Sequence, residues 1–426
     1  MRLLEPLHRQ RIATKVGEHK SGRTLDRCFY ADEAVYQAEL NAFWRSGWLF
    51  AGHTCQVAEP GDYFVYKVAG DEILILRDDE GHIRATHNVC RHRGSTLCQE
   101  PAGHVGRIVC PYHQWTYGRD GQLLACRGMG EDFDKSQYRL KPVQLEEVGG
   151  LIFVSLAEEP IPFDAARAEM APQLAPQGFD RAKVAKIVDY TIPANWKLVW
   201  ENNRECYHCN ANHPQYIKAN FDHFNADDTT QRVRTAITSA TAKQEDRWAA
   251  QGLAATHTAT GMCVFPDAAN KIWFAANRTP LVDGYVSETM DGRQVAPLMG
   301  DYQAPDVGTL RMRTLPNFWN HSSCDHGVST RLTPLGHFAT EARVIWLVDR
   351  DAKEGVDYRL DEIMPFWQLT SEQDWELCEL AQRGVTSSGY QPGPLSPVKE
   401  YNVMGFLKWY LDVLGDWAGK TPGAVD

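Results

Sequence analysis

The stretch that decides the fold reads Cys90-Arg91-His92, then seventeen residues, then Cys110-Pro111-Tyr112-His113. Each half of this pattern supplies one thiolate and one imidazole. Two cysteines and two histidines on paired loops are the ligands of a [2Fe–2S] centre in which the cysteines hold one iron and the histidines hold the other. The pattern therefore predicts Cys90 and Cys110 as ligands of one iron, and His92 and His113 as ligands of the second.

A structural zinc site is the competing interpretation, because zinc also binds two cysteines and two histidines. Zinc knuckles usually pair Cys with Cys and His with His, whereas each half-site here mixes the two residue types. The spacing therefore favours a Rieske-type [2Fe–2S] cluster, which moves electrons and has a higher reduction potential than an all-cysteine cluster.

Hairpin signals surround both half-sites. Glu80-Gly81 separates two strand-like segments before the first half-site, and Asp120-Gly121 separates two more after the second. The pattern predicts a small all-β domain over residues 46–157, with the cluster loops at its tip. The predicted strands are Trp48–Ala51, Tyr63–Val68, Glu72–Leu76, Ile83–His87, Trp115–Tyr117, Gln122–Leu124 and Leu151–Ser155.

Length and composition indicate a globular protein with two domains. The chain has 426 residues, and its net charge of −11 disfavours nucleic acid and anionic membranes as partners. No apolar run approaches the length of about eighteen residues that a membrane span needs. Eleven cysteines without regular pairing favour a reducing compartment, and the cytoplasm is the expected location.

The rest of the chain divides into three parts. Residues 1–45 begin with a basic stretch that lacks the features of a targeting signal, and we expect an arm that packs on the larger domain. Residues 158–180 are rich in Ala and Pro, which predicts a linker with room for a short helix. Residues 181–426 mix strand and helix patterns and predict an α+β domain, with an antiparallel sheet covered by helices on one side.

The elements expected in this larger domain follow from apolar patterning. The predicted strands are Ala185–Ile192, Lys271–Ala275, Gly308–Thr314, Ser329–Thr333 and Arg343–Val348. The predicted helices are Trp196–Cys209 after the N-cap Asn195, Leu360–Arg383 before Gly384, and Val403–Ala418.

A second group of chemistry-bearing residues lies between Glu201 and Pro214. On a helix, Glu201, Glu205 and His208 would share one face. His213 would lie about 140° further round, so the two imidazoles can converge only at a π-bulge or a helix end, which Pro214 favours. Two histidines with one carboxylate and open positions bind non-haem Fe(II). A pair of ordinary core or surface histidines is the alternative.

Asp374 is the best candidate for the carboxylate. It lies on the apolar stripe of the predicted helix Leu360–Arg383, where an unpaired charge is costly and a metal cation would stabilise it. The competing carboxylates are Asp222, Asp361 and Glu400. Asp222 is near the histidines in sequence, and Glu400 stands at a helix start, where a cap or a salt bridge is the commoner role.

Cys206 and Cys209 form a Cys-x-x-Cys pair, a pattern also found in redox and zinc sites. A disulfide is feasible on a helix. However, the pair interleaves with the proposed iron ligands and no βαβ unit precedes it. We therefore expect no disulfide here.

The two half-sites, followed by Asn195-Trp196-Lys197, by Glu205-Cys206-Tyr207-His208 and by His213-Pro214, resemble the oxygenase component of Rieske non-haem iron oxygenases. The likeness runs from about Phe43 to the last helix. Within that family the chain looks most like the branch acting on quaternary ammonium compounds, with glycine betaine as the best candidate substrate and choline, carnitine and stachydrine enzymes as neighbours. Residues 315–321, which read LPNFWNH, and Gln373-Asp374 are among those that carry this closer likeness.

The resemblance implies a role for each site residue. His208 and His213 would be the histidine ligands of a mononuclear Fe(II), and Asp374 would be the carboxylate ligand. Glu205 would connect this iron site to a Rieske histidine of the neighbouring subunit, where many relatives have Asp. The family also implies a homotrimer and a separate reductase, which carries a flavin and a plant-type [2Fe–2S] cluster and takes electrons from NAD(P)H.

The implied reaction uses O₂ to hydroxylate one N-methyl group. The carbinolamine then collapses to formaldehyde and the dimethylated amine, which for glycine betaine is dimethylglycine. Aromatic faces bind such permanent cations. The candidate substrate residues are the aromatics Phe265, Trp273, Trp319 and Tyr390, with His321 or Arg331 as a donor to a substrate carboxylate.

Two other classes of protein remain open. An aromatic-ring-hydroxylating dioxygenase would share every metal ligand but would yield cis-diols in place of formaldehyde. A plain Rieske electron carrier or a zinc-binding interaction protein would explain the first motif only. Metal content separates them, because the enzyme would hold about three irons per chain, the carrier two and the zinc protein none.

Overall fold

The computed structural model describes residues 6–220, 231–253 and 273–419, and all the strand pairings within these ranges are antiparallel. In chain order the strands are β1 Leu49–His53, β2 Asp62–Val68, β3 Asp71–Arg77, β4 Ile83–His87, β5 Ala102–His104, β6 Ile108–Val109, β7 Thr116–Tyr117, β8 Leu123–Ala125, β9 Gln144–Val148, β10 Leu151–Ser155, β11 Ala182–Ile192, β12 Phe274–Thr279, β13 Thr309–Thr314, β14 Phe318–Ser322, β15 Gly327–Gly336 and β16 Ala339–Asp349.

Helices lie before, between and after these strands. The α-helices are α1 Pro6–Glu18, α2 Cys28–Ala31, α3 Glu33–Glu39, α4 Asp164–Leu174, α5 Trp196–Asn203, α6 Cys209–Asn212, α7 Tyr216–Ala219, α8 Gln231–Ala250, α9 Leu360–Ile363, α10 Pro365–Thr386 and α11 Tyr401–Gly419. A π-helical turn spans Leu40–Trp44, and short 3₁₀ turns span Thr54–Val57, Lys135–Tyr138, Ala175–Gln177 and Phe179–Arg181. No helix in the described ranges combines the length and the apolar character that crossing a bilayer requires.

The β-rich unit consists of three small sheets, in the orders β1-β10-β9, β4-β3-β2-β5 and β6-β7-β8. The predicted strands Ile83–His87 and Leu151–Ser155 have the observed bounds. The prediction missed β5, β6 and β9. All three residues of β5 are exposed, so this strand has no apolar alternation that a sequence pattern could reveal.

The larger unit is built on one six-stranded sheet in the order β11-β16-β15-β14-β13-β12. Phe366 and Trp367 of α10 belong to an apolar cluster with Val328, Val344 and Trp346 of the sheet. The predicted α+β class is therefore confirmed. The sequence patterns did not predict strand β14, which carries the candidate site residues Trp319 and His321.

Two predicted helices have wrong bounds. The helix expected over Trp196–Cys209 ends at Asn203, because the Glu205 carboxylate accepts hydrogen bonds from the backbone N–H groups of Tyr207 and His208 and so caps a new turn. The helix expected over Leu360–Arg383 is divided at Pro365, which lacks a backbone N–H and begins α10.

The N-terminal arm contacts the larger unit through a buried ion pair. Lys197 Nζ lies 2.5 Å from Glu39 Oε1, and both side chains are fully buried. Glu39 also accepts hydrogen bonds from Trp196 Nε1 at 2.9 Å and Tyr410 Oη at 2.6 Å. The arm is thereby joined to α5, which leads into the second group of site residues, and to α11.

One apolar core runs through both units. Phe50 of β1 stacks near Phe318 of β14, with ring centroids 4.2 Å apart. The Asn317 side chain accepts a hydrogen bond from Phe50 N and donates one to Phe50 O, each at 2.9 Å, so its amide pairs with β1 as a neighbouring peptide would. A smaller, separate core surrounds Trp115 and Tyr117 at the tip of the β-rich unit.

Candidate metal centres and active site

The two half-sites of the first motif fold into loops with the same backbone pattern. Cys90 N donates to Ser95 O at 2.8 Å, and Cys110 N donates to Trp115 O at 2.8 Å. The N–H group four residues after each cysteine donates to that cysteine's carbonyl at 3.0 Å. Both cysteines are buried. The structure thus places the two halves as matching loops that face each other.

The residues at this tip fit an iron–sulfur cluster. The His92 and His113 ring centroids lie 4.5 Å apart. The buried Nδ1 of His92 has no hydrogen-bond partner within the described part of the chain, as expected of an atom that ligates a metal. Tyr117 Oη accepts from Arg91 N at 3.0 Å and lies 3.3 Å from Cys90 Sγ, within reach to donate to a ligating thiolate.

The two cysteines differ in acidity. Burial raises the pKa of Cys90. Burial also opposes ionisation of Cys110, but hydrogen bonds from the backbone N–H of Tyr112, from Cys90 and from the backbone N–H of His113 outweigh it and lower the pKa of Cys110. Donors aimed at a sulfur stabilise the thiolate that a metal cluster requires.

The second centre forms where α5 ends. His208 and His213 flank the short helix α6, and both imidazoles reach Asp374 of α10. His208 Nε2 lies 3.2 Å and His213 Nε2 lies 2.9 Å from Asp374 Oδ1. The helix end that the sequence required for convergence of the two rings is therefore present.

The outer nitrogen of each ring has its own acceptor. His208 Nδ1 lies 2.6 Å from Glu205 Oε1, and His213 Nδ1 lies 2.8 Å from Gln373 Oε1. With Nδ1–H donating outwards, the two Nε2 atoms are the ring atoms that would ligate a metal together with the Asp374 oxygen. These three residues fit a divalent metal such as iron.

Charged neighbours shift the pKa values of His208 and Asp374 in opposite directions. Burial opposes protonation of His208, but the hydrogen bonds to Asp374 and Glu205 outweigh it and raise the pKa of His208 to about 10. Burial raises the pKa of Asp374, but the two imidazoles outweigh it and the pKa is lowered. The site therefore attracts a cation, because two carboxylates surround the rings.

The competing carboxylates lie elsewhere or outside the described residues. Asp361 pairs with Arg359 at 2.7 Å on an exposed surface. Glu400 accepts a hydrogen bond from Ser396 N at 2.6 Å, which is the capping role expected of it. Asp222 lies outside the described residues.

Beside the histidines lies a cavity of about 80 Å³ that opens to solvent. The predicted residues Trp319 and His321 line it. The other side chains on its wall include two further aromatics and three arginines, namely Tyr216, Trp367, Arg204, Arg311 and Arg313. His321 is neutral, because burial and then the charges of Arg311 and Arg204 hold its pKa well below the usual range.

Several predicted substrate residues lie away from this cavity. Trp273 packs against Phe163 and Phe274. Tyr390 donates to Leu25 O at 2.8 Å, within the contact with the N-terminal arm. Arg331 lies over Tyr66 and donates to Ala51 O at 2.6 Å, and it does not line the cavity. Phe265 lies outside the described residues.

Sequence reasoning missed Arg311, Arg313, Trp367 and Gln373. The two arginines could have been noticed, because they are two residues apart on the predicted strand Gly308–Thr314 and therefore lie on the same face of that strand. Gln373 precedes Asp374, but only the fold shows that its amide oxygen meets His213.

The structure joins Cys206 and Cys209 in a disulfide, so the expectation of two separate thiols is wrong. The pair closes the turn that carries His208. This turn follows the end of α5 at Asn203.

Two protein-family models match the chain. Residues 179–416 match the ring-hydroxylating alpha subunit (catalytic domain), and residues 47–140 match the Rieske [2Fe–2S] domain. The chain therefore belongs to the ring-hydroxylating alpha-subunit family, with a Rieske domain before the catalytic domain. It is an oxidoreductase, a Rieske-type monooxygenase, and its cofactors are a Rieske [2Fe–2S] cluster and a mononuclear iron.

Individual relatives within this family have more specific names. The glycine betaine monooxygenase oxygenase subunit of Chromohalobacter salexigens is 42% identical over 96% of this chain and 90% of that protein. The subunit of the same name from Pseudomonas aeruginosa is 40% identical over 99% of this chain and 96% of that protein. A solved quaternary ammonium Rieske monooxygenase, described with carnitine oxidation and inter-subunit electron transfer, shares the fold with a TM-score of 0.67 and 21% identity over 93% of this chain and 97% of that one. The predicted family and cofactors are confirmed.

Proposed function

We propose that the chain is an oxygenase component that N-demethylates a quaternary ammonium compound, with glycine betaine as the first candidate and dimethylglycine and formaldehyde as products. The observation that carries this proposal is the near full-length likeness to two glycine betaine monooxygenase oxygenase subunits. Choline, carnitine and stachydrine are the neighbouring substrates to test.

In this proposal the two metal centres use the residues that the fold brings together. Cys90, His92, Cys110 and His113 would hold the Rieske cluster. His208, His213 and Asp374 would hold the mononuclear iron. Bound iron would supply O₂ activation for oxidation of an N-methyl C–H bond. Glu205 and Gln373 fix the two imidazoles in the tautomer that leaves both Nε2 atoms available.

The cavity wall suits a small cation. The rings of Trp319, Trp367 and Tyr216 line it, and an aromatic face contributes about 0.5–2 kcal/mol to binding of a quaternary ammonium. Trp367 is stacked on His321, with ring centroids 4.1 Å apart, so its orientation is fixed. The carboxylates of Asp374 and Glu205 offset the positive charges of iron, which lets a cationic head group approach the imidazoles.

Electrons would come from a separate reductase that uses NAD(P)H through a flavin and a plant-type [2Fe–2S] cluster, in the cytoplasm. The relatives' designation as oxygenase subunits supports a separate partner. We propose a homotrimer in which Glu205 links each iron site to a Rieske histidine of the neighbouring subunit. Its hydrogen bond to His208 and its 14% exposed side chain support this role for Glu205.

Formaldehyde release under O₂ tests the proposal. The assay uses the oxygenase with a competent reductase and NAD(P)H, and a panel of glycine betaine, choline, carnitine, stachydrine and a neutral aromatic. We expect formaldehyde from glycine betaine and none from the Asp374→Asn variant. If no quaternary amine yields formaldehyde while the iron content is intact and the cluster is reducible, the proposal fails, and cis-diol formation from the aromatic would favour a ring-hydroxylating dioxygenase.

A further inference from the structure

We infer that Arg311 binds an anionic group of the substrate, so that the cavity selects zwitterions that carry both a quaternary ammonium and a carboxylate. This inference rests on the proposed N-demethylation and deepens it, because it names the residue that would distinguish glycine betaine from choline. It replaces the donor role that the sequence suggested for Arg331.

The sheet wall of the cavity carries two guanidinium groups on one face. In the antiparallel register of β13 and β14, Arg311 lies opposite His321 and Arg313 lies opposite Trp319. Directly opposed residues share one face of a sheet. All four side chains line the cavity, so the positive charges stand beside the aromatic and imidazole surfaces that a small substrate would contact.

The Arg311 guanidinium has a defined orientation. Its Nη2 donates to Tyr216 Oη at 3.0 Å and to Asn220 Oδ1 at 2.9 Å. Asn220 Nδ2 in turn donates to Glu288 Oε1 at 3.1 Å, and Thr309 Oγ1 donates to Glu288 Oε2 at 3.0 Å. Asn220, Glu288 and Thr309 are fully buried, so this chain of hydrogen bonds holds the guanidinium plane in place.

The residues around the imidazoles carry the contrary charge. Asp374 and Glu205 contact the imidazoles of His208 and His213 and line the same cavity. A quaternary ammonium is therefore attracted to these carboxylates and repelled from Arg311, whose guanidinium charge attracts a carboxylate. The polarity of the cavity orients a zwitterion with an N-methyl group towards the metal ligands.

Calorimetric titration of anaerobic, metal-loaded oxygenase with glycine betaine and with choline tests the inference. We expect Arg311→Gln to weaken glycine betaine binding by about 10- to 100-fold, the range for a lost charge-assisted hydrogen bond, and to leave choline binding unchanged or tighter. Arg311→Lys should recover part of the loss. The matched control is Arg343→Gln, which removes a guanidinium of the same sheet that pairs with Asp189 at 2.6 and 2.8 Å. This control should bind both compounds as the wild type does.

Three results would overturn the inference. One is unchanged glycine betaine affinity in Arg311→Gln, and another is an equal loss for both compounds. The third is a wild-type enzyme that binds choline more tightly than glycine betaine. Formaldehyde release by the wild type is measured in parallel. If glycine betaine is demethylated but Arg311→Gln leaves the glycine betaine to choline ratio unchanged, the arginine role fails and the proposed function stands; if no quaternary amine is demethylated, the proposed function fails.

Discussion

At the scale of single residues, the two histidines proposed as iron ligands, His208 and His213, are oriented by different acceptors. A carboxylate oxygen accepts the Nδ1–H of His208, whereas an amide oxygen accepts that of His213. Gln373 is itself fixed, because its Oε1 also accepts from Gln215 Nε2 at 3.0 Å. Such outer acceptors set the ring tautomer and the basicity of the ligating nitrogen, so they affect metal affinity without touching the metal.

Replacing Gln373 should weaken iron binding. We expect Gln373→Leu to lower the affinity for Fe(II) by about 10- to 100-fold, because the His213 ring loses the acceptor that orients it. Titration of Fe(II) into cluster-loaded protein from which the mononuclear iron has been removed measures the dissociation constant. Gln368→Leu is the control, since Gln368 lies on the same helix and bonds only Glu372 among the described contacts. Equal affinities for the two variants would refute the role of Gln373.

Glu201 should make stability depend on pH. Burial raises the pKa of Glu201 to about 7, although Tyr30 Oη donates to it at 2.8 Å. A carboxyl whose folded pKa exceeds its unfolded value costs stability when ionised, so this cost is absent below about pH 4.5 and complete above about pH 7. We expect Glu201→Gln to unfold with about 1–3 kcal/mol more free energy than the wild type at pH 8, and with no difference at pH 4.5.

Denaturant unfolding at the two pH values measures this difference. Glu376→Gln, an exposed position on α10, is the control and should change stability at neither pH. If Glu201→Gln is less stable than the wild type at pH 8, the ionised carboxylate contributes more through Tyr30 and Lys197 than its burial costs, and the prediction is wrong.

At the scale of elements, a continuous apolar run predicted the bounds of β10, but the sequence pattern did not predict the end of α5. Leu151–Ser155 is buried throughout and was predicted with its observed bounds. The residues immediately after Asn203 contain no sequence signal for a helix end. The helix ends there because the Glu205 side chain accepts hydrogen bonds from the backbone N–H groups of Tyr207 and His208. The sequence nevertheless showed that His213 could meet His208 only if the helix ended.

The site was predictable to the extent that residue chemistry and spacing specified it. The half-sites and Asp374 were found because thiolates, imidazoles and a carboxylate on an apolar stripe have few other uses. Trp273 and Tyr390 were chosen for their ring type alone, and aromatic rings serve equally well in a core. The sequence could place Arg311 and Arg313 on one face of a strand, but only the strand register shows that Arg311 lies opposite His321.

The ion pair between the arm and α5 should be strongly coupled. Lys197→Met would leave the buried Glu39 carboxyl without its cationic partner, which costs about 3–5 kcal/mol of stability. Adding Glu39→Gln removes that carboxyl and keeps an oxygen acceptor for one of the two neutral donors, Trp196 or Tyr410, which bond different carboxylate oxygens. We expect the double variant to recover a substantial part of the loss, as measured by denaturant unfolding of all four forms. Additive losses in the two single variants would show that the residues do not interact.

At the scale of the whole molecule, the two metal centres lie in different structural settings. The cluster cysteines are buried in the small core at the tip of the β-rich unit, whereas the histidine pair lines an open cavity of the sheet unit. The proposed cluster cysteines are therefore shielded from solvent, and the histidine pair faces a cavity that small molecules can enter.

Brief chelation should separate the two centres. We expect about three irons per chain in the loaded protein and about two after treatment, with the visible absorption of the Rieske cluster retained. Iron analysis and the absorption spectrum before and after gel filtration measure this. Asp374→Ala should be isolated with about two irons from the start. Loss of the cluster spectrum in parallel with the first iron would contradict the assignment of the accessible site to the histidine pair.

The pairing of Asn317 with β1 bears on how this architecture can be recombined. Since the Phe50–Phe318 contact and the Asn317 amide belong to one core that spans both units, a chimaera joined at the boundary between them would bring together two half-cores with unmatched shapes. The tip has a core of its own around Trp115. We therefore expect this architecture to tolerate an exchange of only the two cluster loops and that small core. Related proteins with different electron-transfer properties are expected to differ first in these residues.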